Sequence, residues 1–280
     1  MPGAKNPFTS TRDAVDEDTA NAQERNRLWW ERMPMTYADW HADDRLPVDA
    51  EEFKQIETRI FAASPFLRQW FGRMDFQGQK VLDVGCGSGA LSCRLAKMGA
   101  RVTAIDITEA AVALARRNAR AQGLDMDIVR MDAEDMALPP ASFDFVFSWG
   151  VLHHTDDFEA AFREVSRVLK PGKSGLVMVY HRASAVYYLN GLKWLLVKGK
   201  LFRGHTLHSV QDFYTDGYYH RYLRRGEIAG LLAGAGLTAR RISVTQYQKS
   251  ILPFIPGWLD RALKARFGMC LVAEFDKPVD

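Results

Sequence analysis

Cysteine is scarce: three residues, Cys86, Cys93 and Cys270, in a chain of 280. Thiols this few and this scattered exclude a disulfide framework and a four-cysteine zinc site, so the reducing cytosol is the expected compartment. An excess of one charge is also lacking. Thirty-seven Lys+Arg against 34 Asp+Glu leave +3, too little to indicate a nucleic-acid partner from global electrostatics. No apolar run reaches the ~20 residues of a membrane span, because 192–197 and 176–180 are bounded by Lys or Gly. The opening MPGAKNPFTSTRDAVDEDTANAQ has neither the basic start nor the apolar segment of a secretory leader. Internal repeats and low-complexity tracts are absent. What is present, 47% apolar and 25% charged residues, is ordinary globular composition. The length fits one large domain or one domain with additions. A soluble cytoplasmic protein is expected, with peripheral contact to a membrane left open.

The first 23 residues are polar and read as loose. RLWWERMPMTYADW then gathers three Trp and a Tyr, with a short helix from Leu28 that Pro34 ends. A second helix is predicted over 49–71, N-capped by Asp49 and kinked or restarted at Pro65. From residue 80 strand and helix alternate. Strands are expected at 81–84, 101–106, 125–132, 143–149 and 175–181, and helices at 90–99, 108–123 and 158–172. Beyond an interruption at 182–225 come a helix at 227–236, a strand at 237–246, a further helix and a last strand at 269–275. Repeated β-α-β units with continuous apolar strands predict an α/β fold: a Rossmann-like, doubly wound, mainly parallel sheet covered on both faces. The last strand suits an antiparallel addition to the sheet edge. The expected organisation is an N-terminal helical cap, 1–72, and a main domain, 73–280, with a lid insertion at 182–225.

VLDVGCGSG (81–89) carries the strongest signal. Gly85, Gly87 and Gly89 permit a tight strand-to-helix turn at the carboxyl edge of the sheet, where open α/β folds bind ligands. The pattern also satisfies the loose dinucleotide motif, and Asp106, about 20 positions on, suits any adenosine ribose. Asp83 and Asp132 discriminate. A carboxylate inside strand one can hold an ammonium group, and one after strand three, with the N–H of Ala133, can hold an adenine edge. Neither has a task beside a pyrophosphate. Both suit an amino acid joined to adenosine.

With VLDVGCGSG, AIDIT (104–108), MDAEDMALPPASFDFVFSWGVLHHTDD (131–157) and REVSRVLKPGKSG (163–175), the chain resembles the class I S-adenosylmethionine-dependent methyltransferases. The nearest likeness is to the small-molecule subgroup that includes quinone-biosynthesis C-methyltransferases. The likeness is close over 75–181 and extends to the last strands by order only. It implies S-adenosyl-L-methionine as cofactor. Gly85, Cys86, Gly87 and Gly89 would line its methionine end, Asp83 its amino group, Asp106 and Ile107 the ribose and adenine, and Asp132 and Ala133 the adenine edge. Ser148 and Trp149 would border the sulfonium. A general base is required only if the acceptor must lose a proton, and His153, His154 and His181 compete for that role. No acidic cluster with ligand spacing follows strand four, so no metal is expected.

Absences narrow the acceptor. Ser148-Trp149-Gly150-Val151 replaces the [DN]-P-P-[FY] turn of adenine and cytosine N-methyltransferases, and no cysteine sits there for attack on cytosine carbon. A small molecule is expected rather than nucleic acid. The insertion 182–225 holds eight Lys/Arg against two Asp, and nine aromatics. Residues 185–202 place Tyr188, Leu192, Leu195 and Leu196 on one helical face. A lid over an apolar acceptor, a basic amphipathic helix on anionic lipid, and a subunit interface are the competing readings. Tyr188, Trp194, Tyr218 and Tyr222 are its candidate substrate contacts. Trp29, Trp30, Tyr37 and Trp40 either cover the cofactor as a flap, with Tyr37 or Trp40 near the sulfonium, or pack on the sheet flank. The segment 249–268 suits a second pocket wall or a membrane-facing tip. The expected activity is methyl transfer to oxygen or carbon of a small apolar or aromatic acceptor. The alternatives are methylation of a membrane lipid or quinone, and a non-catalytic cofactor-binding regulator. The oligomeric state is not legible.

Overall fold

Seven segments rich in Val, Ile, Leu and Phe pair into one sheet, in a computed structural model that describes residues 22–32, 46–213, 220–245 and 256–279. The strands are β1 (Lys80–Val84), β2 (Arg101–Asp106), β3 (Asp127–Arg130), β4 (Phe143–Trp149), β5 (Leu169–Tyr180), β6 (Thr238–Thr245) and β7 (Cys270–Asp276). Their order is β3-β2-β1-β4-β5-β7-β6. β1 to β5 pair in parallel. The last strand is the antiparallel one, as expected, and it enters between β5 and β6, so that β6 is outermost.

Alternate side chains of each strand serve two cores, as the period of two requires. Val81, Phe145, Phe147 and Met178 face one core with helices α2 (Ala50–Ala63), α3 (Pro65–Phe71), α4 (Ala90–Lys97) and α5 (Glu109–Ala121). Leu82, Val146, Val177 and Val179 face the other with α6 (Phe158–Val168) and α9 (Arg225–Gly234). Asp49 caps α2, accepting from the Glu52 N–H at 2.9 Å, and Pro65 opens α3 as a separate helix. Phe53, Ile56, Trp70 and Phe71 of these two helices share the core of the sheet.

Three elements differ from expectation. Helix α1 (Ala22–Arg32) begins six residues before Leu28. Helix α6 stops at Val168 instead of 172, and the chain turns straight into β5. Lys170 precedes Pro171, and a residue before proline is driven to extended backbone. The ladder absorbs the difference as a register shift between Phe143 and Phe145 opposite Leu169 and Ser174. The insertion is not one continuous helix. It runs as α7 (Ala185–Leu192), a π turn (Lys193–Val197), a 3-10 turn (Lys200–Arg203) and α8 (Leu207–Phe213). A parallel bridge from His181 to Leu223 closes it, and α10 (Gly257–Phe267) precedes β7.

Candidate functional site

Strand order reverses between β1 and β4, and a cavity opens at their carboxyl ends. Such a switch point splays the flanking turns apart and leaves a crevice. Its floor is the glycine turn. Gly85 has φ +78°, and a Cβ there would meet Val151 Cγ2 at 2.1 Å, so any other residue is excluded by backbone and by space. Gly87 has φ +52° with nothing within 4 Å of the place its Cβ would take, so its backbone is open to close approach by a ligand.

Three carboxylates stand at the ends of three adjacent strands. Asp83 is buried and accepts from Ser92 Oγ at 2.5 Å. Burial pushes its carboxyl up to about 7, against the lowering hydrogen bond from Ser92 and with a further push from the Asp106 charge. Asp106 accepts from Gly87 N at 3.0 Å, Thr108 N at 3.0 Å and Thr108 Oγ1 at 2.9 Å. Burial raises its carboxyl, and those three donors oppose the rise. Asp132 accepts from Glu134 N at 2.9 Å. Among the described residues that line the cavity there is no lysine or arginine.

Asp83, Gly85, Cys86, Gly87, Asp106, Ile107, Asp132, Ala133, Trp149 and His154 line the cavity. Other expected residues stand elsewhere. Gly89 lies just outside the lining and packs on Ala115 instead. Ser148 is buried below the rim and donates to the Val84 carbonyl at 3.1 Å. His153 is fully buried, neither ring nitrogen has a hydrogen-bond partner among the described residues, and burial drives its pKa well below the usual imidazole range. His181 faces away, its Nδ1 2.9 Å from the Gly268 carbonyl, and burial lowers its pKa. Neither histidine is placed to act as base in this cavity. Tyr188 is exposed, and Trp194 and Tyr222 do not line the cavity; Tyr222 stacks behind the wall with its ring 5.6 Å from that of Tyr180. Tyr37, Trp40, Tyr218 and residues 251–255 lie outside the described residues.

Sequence reasoning passed over Tyr180, the residue that lines the cavity at the end of β5. The two-residue period was the available signal, since it puts Tyr180 and His181 on opposite faces. Helix α1 was also underestimated. Trp30 lines the cavity and meets the His154 ring edge-on at 5.4 Å, while Trp29 is buried. Asn26 Nδ2 donates to the His154 carbonyl at 2.6 Å. Glu31 accepts from the N–H groups of Glu109 and Ala110, both at 3.0 Å, at the start of α5. Helix α1 is thereby clipped across the cavity rim. Burial holds the Cys86 thiol well above its usual range, which leaves no thiolate nucleophile here.

The family model described as a methyltransferase domain matches residues 82–177. Ubiquinone biosynthesis O-methyltransferase of Xanthomonas euvesicatoria pv. vesicatoria (strain 85-10) is 33% identical over 177 residues, 63% of this chain and 70% of that protein. Two solved structures share the fold. Magnesium protoporphyrin IX methyltransferase from Synechocystis PCC 6803, with bound SAH, has a TM-score of 0.57 at 19% identity, covering 89% of this chain and 97% of that one. A SAM-dependent methyltransferase from Methanosarcina mazei has a TM-score of 0.55 at 23% identity, over 77% and 98%.

Proposed function

The chain belongs to the S-adenosylmethionine-dependent methyltransferases, and from that premise we propose that it methylates oxygen or carbon of a small apolar or aromatic biosynthetic acceptor. S-adenosylmethionine is the cofactor. The observation that carries the assignment of its site is the charge of the lining: three carboxylates and, among the described residues, no lysine or arginine. A dinucleotide diphosphate would find no cationic side chain among these residues, whereas an ammonium group, two ribose hydroxyls and an adenine amino group each find an acceptor.

In this reading Asp83 receives the amino group, Asp106 the ribose, and Asp132 with the Ala133 N–H the adenine edge. Ile107 lies against the ring. When bound, the cofactor supplies an electrophilic methyl group on a sulfonium. The chain's own residues align the acceptor and exclude water. Trp30, Trp149 and Tyr180 form an aromatic wall suited to a cationic centre and a flat acceptor. Of the three histidines considered, His154 alone lines the cavity, and it would take a proton from an acceptor hydroxyl. Ser148 supports the wall through Val84 and does not itself line the cavity.

The relative named for ubiquinone biosynthesis and O-methyl transfer favours oxygen as the atom and supports a second reading, a quinone or membrane lipid as acceptor, reached by peripheral contact with a bilayer. Thermal melts test the cofactor: S-adenosylmethionine and S-adenosylhomocysteine raise the melting temperature, and a shift with NAD alone overturns the assignment. Methyl-labelled cofactor tests the acceptor. Label in a small soluble product supports the first reading, and label in quinone or phospholipid the second. Cofactor binding with no labelled product from any of these pools would leave a regulatory cofactor-binding protein.

A further inference from the structure

Helix α7 is apolar on two faces, and among the described residues one of those faces is left exposed. Tyr187, Gly191 and Leu195 face inward and are buried. A Cβ on Gly191 would lie 2.3 Å from Leu207 Cδ1, so α7 is packed tightly on α8 there. On the other side Tyr188, Leu189, Leu192, Leu196 and Val197 project outward, and the following 3-10 turn adds Phe202. Phe202 is 89% exposed and Val197 77%. Of thirteen exposed large apolar side chains among the described residues, seven fall between 188 and 202. A helix apolar all round belongs in a core, and single exposed apolar residues are unremarkable; a contiguous cluster marks an interaction surface.

Charge selects the partner. Lys193, Lys198, Lys200 and Arg203 interleave with the apolar cluster, and the sequence has no Asp or Glu from Val165 to Gln211. Apolar side chains fringed by cations fit a bilayer interface carrying anionic headgroups, where the apolar face sinks to the acyl boundary and the cations stay at the phosphates. The surface also communicates with the cavity. Tyr187, on the inner side of the same helix, meets Tyr222 at 5.0 Å, and Tyr222 meets the wall residue Tyr180 at 5.6 Å. We infer that the outer face of residues 188–203 docks peripherally on anionic membrane and holds the acceptor side of the cavity toward it. The orientation of the cavity rests on the proposed function, while the docking itself does not.

Flotation of the full chain with vesicles of equal parts phosphatidylglycerol and phosphatidylcholine, and with phosphatidylcholine alone, tests it. The chain floats with the anionic vesicles only, and high salt releases it. Leu196→Ser/Phe202→Ser and Lys193→Gln/Lys198→Gln/Lys200→Gln each reduce the bound fraction by about tenfold or more. All these side chains but one are well exposed, so the variants fold, and both retain the melting shift with S-adenosylhomocysteine. No flotation with anionic vesicles overturns the inference, as does equal flotation with neutral ones. So does a concentration-dependent dimer, lost in the Leu196→Ser/Phe202→Ser variant, in a chain that does not float: the face then belongs to a second copy.

Discussion

Burial raises the Asp83 carboxyl to about 7, while an unfolded aspartate titrates near 4. Folding therefore takes up a proton at this site between about pH 4 and pH 7. Stability falls as pH rises through that window and levels off above it. Asp83→Asn keeps an acceptor for Ser92 and removes this contribution. It is expected to be more stable than the parent at pH 8, by roughly 2–4 kcal/mol, and to bind cofactor at least about tenfold more weakly. Asp106, raised in the same direction, leaves part of the slope. Melts from pH 5 to 8 and calorimetry check both effects, and unchanged affinity removes Asp83 from the site. The neighbouring histidines separate in the same way. His154→Gln should lower methyl transfer by about 10²-fold or more with cofactor affinity intact. His153→Leu replaces a buried ring that has no hydrogen-bond partner among the described residues, and should leave stability unchanged or raise it by about 1 kcal/mol. A large loss of stability in His153→Leu would contradict that packing. The three aspartates were legible because strand ends are fixed by the apolar runs before them. The two histidines were not, because adjacent residues on a 3-10 turn point to different surroundings, and a one-dimensional pattern does not tell them apart.

Helix α1 shows how far local signals reach. Its aromatics were visible in the sequence, but its role as a rim depends on Asn26 and Glu31 meeting residues 128 and 78 positions away. Glu31 satisfies two N–H groups at the start of α5, where a carboxylate also meets the positive end of the helix dipole. Glu31→Ala should cost about 1 kcal/mol, expose the amides of Glu109 and Ala110 to faster hydrogen exchange, and weaken cofactor binding several-fold. Exchange at those amides unchanged from the parent would show that α1 is not held there. The boundaries that failed have local causes as well. The apolar periodicity of 158–168 runs on into Leu169, and only the Lys170-Pro171 dipeptide signals the turn to extended backbone. In the insertion, Leu195 was expected beside Tyr188, Leu192 and Leu196. The π turn widens the spacing and carries Leu195 to the buried side.

For the molecule as a whole, the sheet and its alternation were legible from residue 80 onward, since parallel strands read as continuous apolar runs. The relation of the N-terminal helices to that sheet was not. Their sequence suggests a cap, but Trp70 packs on Phe145 and Phe147 at ring distances of 5.8 and 5.7 Å, inside the core that supports the ends of β4. Phe66 stacks on the cavity residue Trp149 at 6.1 Å, which ties α3 to the binding site directly. A cofactor bound at the rim should therefore stabilise the cap and the sheet together. At a concentration of S-adenosylhomocysteine one hundred times its Kd, binding adds about 2.7 kcal/mol, which raises the melting temperature of a chain this size by roughly 4–6 °C. Calorimetry should show one transition, moved as a unit, with tryptophan fluorescence and circular dichroism reporting the same midpoint. Two transitions, of which ligand moves only the later, would mean that residues 1–72 unfold independently and that the shared core does not couple them to the site.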